Sequence, residues 1–277
     1  MEQGLTPMEE IFSLQEKLIQ AYYKKGKVPF RLHDLLSTRP SAQQLQWLKS
    51  LVADMAEEIG EAFEGYEVLH MKVMDQNGTE KDKDTKNIQD LCINLSIEVA
   101  DILHFMAEIC LYTGFTTSEL SNFIDYICEM EGMAFTEGDA LKRGMDLAKY
   151  QNFRLGRKGE AVNILQIKYP YVNSGSIRAH LKNFRAGNVV SSIRLNDVKD
   201  QAFELMRDMI ALRRAFRAKL WRETNDPISV DEVHRFIGHV VLGIFRFADL
   251  LDMGPDDLHV VYIHKNQINH DRNINAY

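Results

Sequence analysis

The chain is poor in the residues that staple, anchor or interrupt a fold. Three cysteines among 277 residues, Cys92, Cys110 and Cys128, are an odd number without a CxxC pair, which excludes a disulfide scaffold and the usual zinc spacings. Each lies at an apolar position of a helix-like segment and is read as a reduced core residue. No stretch approaches the roughly 18 uninterrupted apolar residues of a membrane span, and the first residues lack the charged-then-apolar order of a secretory signal. A cytoplasmic location is therefore expected. Positive charge is not in excess either: the formal net charge is -7 and the two signs are interspersed, so neither a nucleic acid nor a membrane surface is an expected partner.

What the chain has is helical period. With 45% hydrophobic residues it can bury one large core or two small ones. In 7–25, Met8, Ile11, Phe12, Leu14, Leu18, Ile19 and Tyr22 recur at threes and fours, with Thr6 as N-cap and Pro7 in the first turn. Ser41 can cap a second helix whose apolar positions run from Leu45 through Ile59 and Phe63 toward Met74. Residues 75–87 are polar, contain Asn77-Gly78 and predict a solvated turn before a third helix over about 88–112. A short helix is expected over 118–130, longer ones from 196 and over 230–252, and a last one from 256 toward 271. The weakly patterned middle reads as an insertion or lid. Its one strand candidate is 188–193. The fold class is all-α.

Charge on these helices carries the chemistry. "EEIGEAFEGY" at 57–66 puts Glu58, Glu61 and, less well aligned, Glu64 on one face. Like charges at i and i+3 repel unless a cation lies between them. The third helix holds its own pair, Glu98 and Asp101, in "INLSIEVADILHF", where apolar residues nearly all round leave no solvated stripe and no Lys or Arg lies within a turn. If the second and third helices pack antiparallel, ExxE and ExxD face each other and offer four carboxylates. Oxygen-only donors suit Mg²⁺ or Mn²⁺. Such an ion usually also holds phosphates, and "YIHKNQINHDRNINAY" at 262–277 supplies them with Lys265, Asn269 and Arg272 on one helical stripe. His104, in DILHF, is read as a hydrogen-bonded core histidine, and 211–223 as a basic amphipathic stretch.

These three motifs, in this order, resemble the dimeric all-α dUTPases, relatives of the MazG-type pyrophosphohydrolases and of the T4-type dCTPase. DILHF and the closing KNxxNxxR pattern are close to the family's wording. The resemblance covers the first three helices and the last two. It implies a helical bundle with a metal-binding core over 1–131, a family-variable insertion over 132–225, C-terminal helices over 226–277 that complete the phosphate site, and a homodimer. By position, Glu58, Glu61, Glu98 and Asp101 correspond to the Mg²⁺ ligands, with Glu61 also as general base; Lys265, Asn269, Arg272 and Tyr277 correspond to phosphate and sugar contacts, and Gln15 to the glutamine lining the base pocket. The implied activity is hydrolysis of dUTP, and of dUDP, controlling dUTP pools. Where the family has an asparagine that reads uracil, this chain has Ile19. Two alternatives therefore stand beside dUTP: dCTP or a modified pyrimidine nucleotide as substrate, and a non-catalytic helical interaction protein.

Overall fold

The computed structural model describes residues 6–32, 40–75, 84–120, 122–123, 194–216, 228–251 and 253–275. Six helices carry the architecture: α1 (Pro7–Lys24), α2 (Ala42–Asp75), α3 (Asp84–Thr113), α4 (Arg194–Ala215), α5 (Val230–Leu250) and α6 (Pro255–Asn275). The described residues contain no strand, which agrees with the all-α expectation. The strand candidate at 188–193, and most of the expected 118–130 helix and of the 132–225 insertion, lie outside the described residues.

Helix starts follow local chemistry. Thr6 caps α1 by a capping box with Glu9, and Pro7 occupies the first turn. Ser41 and Gln44 make the same reciprocal bonds at α2. Thr116 and Glu119 repeat the box ahead of 117–120, Ser229 caps α5, and Pro255 opens α6. One expectation is corrected: residues 84–87, assigned from polarity to the turn, form the first turn of α3. Asp84 and the residues after it have no glycine or proline to stop a helix, so propagation from the apolar segment extends into them.

The longest helices, α2 and α3, pack along each other, with Gly65 beside Leu95 and Glu58 beside Glu98, a register that makes the pair antiparallel. Met55, Ile59, Ala62, Tyr66 and Leu69 of α2 meet Val99, Ile102, Leu103 and Met106 of α3 in one core. Each large apolar side chain so covered contributes about 1.5–3 kcal/mol. Helices α1 and α6 pack on α3 and on each other, while α4 lies against α2 and α5. Gly243 lets α4 approach closely: a Cβ there would stand 2.9 Å from Leu205 Cδ1. Cys92 and Cys110 are buried and free, as expected, and Cys128 lies outside the described residues. No helix among the described residues is long and apolar enough to cross a membrane.

Candidate metal and phosphate site

Antiparallel packing of α2 on α3 brings the two acidic motifs together. Glu58, Glu61 and Glu98 each offer an oxygen within 4.8 Å of the others'. The core beneath fixes this geometry, because Ile59, Ala62 and Val99 are fully buried and leave their acidic neighbours at the edge of the interface. Glu61 is exposed, whereas Glu58 and Glu98 are half-covered.

Electrostatics record the crowding. Burial, followed by the nearby Asp101 and Glu98, pushes Glu58 up to about 7. A hydrogen bond between Glu58 and Glu98 adds to the rise of Glu58 and opposes that of Glu98. Two full charges about 4 Å apart would repel by about 4 kcal/mol at an effective dielectric near 20. Glu98 is itself raised, by burial first and then by Asp101. A cluster of hard oxygen donors crowded closely enough to raise its own members fits a small divalent cation; the donor set does not single out Mg²⁺.

Asp101 stands beside this trio with a different partner. Its Oδ2 accepts a 2.5 Å hydrogen bond from Lys265 Nζ of α6. Burial still raises Asp101 from its ordinary value, opposed by Lys265 and Arg272. Thus the acids of α2 and α3 and two cations of the C-terminal stripe share one region. Asn269 lies on the same helix, partly buried, and Tyr277 lies outside the described residues.

Gln15 sits in a buried polar network between α1, α3 and α6. Its amide oxygen accepts from Tyr262 OH at 2.8 Å and lies 2.8 Å from His104 Nδ1, while its nitrogen donates to Glu108 Oε2 at 3.4 Å. All four residues are buried, and the His104 ring stacks on Tyr262 with centroids 4.2 Å apart. Burial holds the His104 imidazole down to about 3, so it is neutral, and its Nδ1 donates to the Gln15 oxygen. The core reading of His104 is borne out. Burial likewise pushes Glu108 up to about 8. Ile19 is fully buried and packs in the hydrophobic core.

Glu108, Tyr262 and Tyr22 were missed in the sequence. Tyr22 is half-buried; its hydroxyl is raised by burial and by Glu108 and lowered by Arg272, which places it between the buried network and the C-terminal basic stripe. Glu108 had a signal: it is an acid on the same all-apolar helix that singled out Glu98 and Asp101. Comparison with protein-family models, curated proteins and solved structures gave no match.

Proposed function

We propose that this chain is a divalent-cation-dependent pyrophosphohydrolase of nucleoside triphosphates, with dUTP as substrate and Mg²⁺ as cofactor. The observation that carries the reading is the convergence of Glu58, Glu61 and Glu98 within 4.8 Å beside the Asp101–Lys265 pair. Carboxylates able to hold a cation beside a lysine able to bind phosphate suit a ligand that is itself a metal-bound phosphate.

Glu58, Glu98 and Asp101 would hold the ion, together with Glu61. A bound divalent ion there supplies Lewis acidity toward the phosphates and their leaving group. Glu61 is the exposed member of the cluster and takes the proton of the attacking water. Lys265 and Arg272 bind the phosphate oxygens and offset negative charge as the phosphoanhydride breaks into nucleoside monophosphate and pyrophosphate. The base preference rests on the dUTPase resemblance, and the expected homodimer belongs to the same proposal; equilibrium sedimentation measures it.

Pyrophosphate release from dUTP, dCTP, dTTP, dATP and dGTP with Mg²⁺ tests the reading, with Glu61→Gln as control. Turnover of dUTP above the others is expected, and Glu61→Gln should lose at least about a hundredfold, the usual worth of a positioned base. Preference for dCTP would keep the chemistry and change the substrate. No turnover of any nucleotide, or equal turnover by the control, would remove the enzyme reading.

A further inference from the structure

We infer that Lys265 is a built-in counterion that keeps Asp101 out of the cation site until a ligand phosphate takes its ammonium, so that cation and nucleotide load together. The inference deepens the phosphohydrolase reading and rests on it.

Its basis is a division among the four acids. Three of them, Glu58, Glu61 and Glu98, converge on one another. Asp101 instead accepts from Lys265 Nζ at 2.5 Å. The pair is well covered, with 12% of the Lys265 side chain and 15% of the Asp101 side chain exposed, so water screens it little. A small divalent ion sits about 2.1 Å from a carboxylate oxygen. On Oδ2 it would contest the position that Nζ now commands. On the other oxygen it would stand close to an unneutralised ammonium. Either way the cation and Lys265 compete for Asp101.

The helix that carries Lys265 also supplies the means of release. Lys265, Asn269 and Arg272 recur at i, i+4 and i+7 of α6, so a polyphosphate lying along that stripe meets the ammonium. Lysine is a compact charge on a flexible four-carbon stem, and it can change partners without moving its helix. When phosphate takes Nζ, Asp101 is left as a buried carboxylate without a cation, and a divalent ion satisfies it. In both arrangements Asp101 and the Lys265 ammonium each face an opposite charge. Linkage then requires that nucleotide tighten cation binding by the factor by which the cation tightens nucleotide binding.

A double-mutant cycle read by Mn²⁺ calorimetry on the full chain without nucleotide tests this. Lys265→Met should bind Mn²⁺ about tenfold more tightly than the parent, within the usual range of site coupling. Asp101→Asn should weaken Mn²⁺ by a smaller factor in the parent, where Lys265 already occupies the carboxylate, than in the Lys265→Met background, where Asp101 is open to the ion. The double variant should lose the gain. Lys265→Gln repeats the experiment with a polar side chain, and circular dichroism checks each fold. If the gain persists with Asn at 101, it is a general effect of removing positive charge and the inference is overturned. It is equally overturned if Asp101→Asn weakens Mn²⁺ as much in the parent as in the Lys265→Met background, or if none of the variants binds Mn²⁺. Failure of the enzyme reading shows separately, as absence of nucleotide turnover in a chain whose Mn²⁺ cycle still shows the coupling.

Discussion

Glu108 shows how much a single buried acid can determine. It is 7% exposed, its Oε2 accepts from Gln15, and its carboxyl is pushed up to about 8, chiefly by burial. In the unfolded chain a glutamate titrates near 4.3. The folded protein therefore holds a proton that the unfolded chain has released. The resulting stability is fully present below about pH 4 and is lost as pH rises toward 8. His104 works in the other direction: it is held down to about 3, mainly by burial, so its contribution grows as pH rises from about 3 to 6.5. Between about pH 6.5 and 8 only Glu108 of this pair titrates. Glu108→Gln keeps a neutral amide in place of a neutral acid, so its unfolding free energy should fall less over that window than the parent's. Urea unfolding at pH 6.5 and 8 measures the difference, in which the contribution of Glu58 cancels. Equal losses in the two proteins would mean that Glu108 is ionised in the fold.

At the level of the helix, two glycines separate what local pattern reveals from what packing adds. Gly60 lies between Glu58 and Glu61 on α2, and a Cβ built there meets nothing within 4 Å. Gly60→Ala should therefore stabilise the protein by about 0.5–1 kcal/mol through helix propensity alone. Gly238, in the middle of α5, looks identical in sequence. Its Cβ would reach the Phe123 ring at 2.6 Å, including the ring's inner carbon, so the ring as a whole must shift. Gly238→Ala should destabilise by about 1–3 kcal/mol despite the better helix former, as overpacking does. Denaturant midpoints for the two variants should move in opposite directions. The same division explains what could be read beforehand. Helix starts at Thr6 and Ser41 and the apolar periods of α1, α2 and α5 are local, and the sequence displays them. The convergence of Glu58 and Glu61 with Glu98 needed one further step, antiparallel packing across a polar connection. The Asp101–Lys265 bond and the Gln15–Glu108 contact join α3 to α6 and α1, and no local pattern encodes the rotation of those helices. Polarity also misled at 84–87, where a charged first turn of α3 looked like a loop.

For the molecule as a whole, the acid cluster means that the bundle is assembled against electrostatic resistance. Glu58, Glu98 and Asp101 are all raised by burial before any neighbour acts on them, so in the cation-free chain folding costs part of the free energy that the α2–α3 core contributes. A ligand that binds the folded site and not the unfolded chain returns stability by mass action, about 2.7 kcal/mol at a concentration a hundredfold above its dissociation constant. For a chain of this length that corresponds to a rise of about 5–10 °C in Tm. Mg²⁺ is expected to produce such a rise, and NaCl at matched ionic strength is not. Glu98→Gln separates the two sides of the effect: removing one of the crowded acids should leave the cation-free Tm at or above the parent's, while the Mg²⁺-dependent rise disappears. Differential scanning calorimetry with and without EDTA reads both quantities in one series. A Mg²⁺ rise that survives Glu98→Gln would place the cation away from the α2–α3 cluster. A cation-free Tm that drops would mean that the Glu58–Glu98 hydrogen bond stabilises the fold more than the crowding of the acids opposes it.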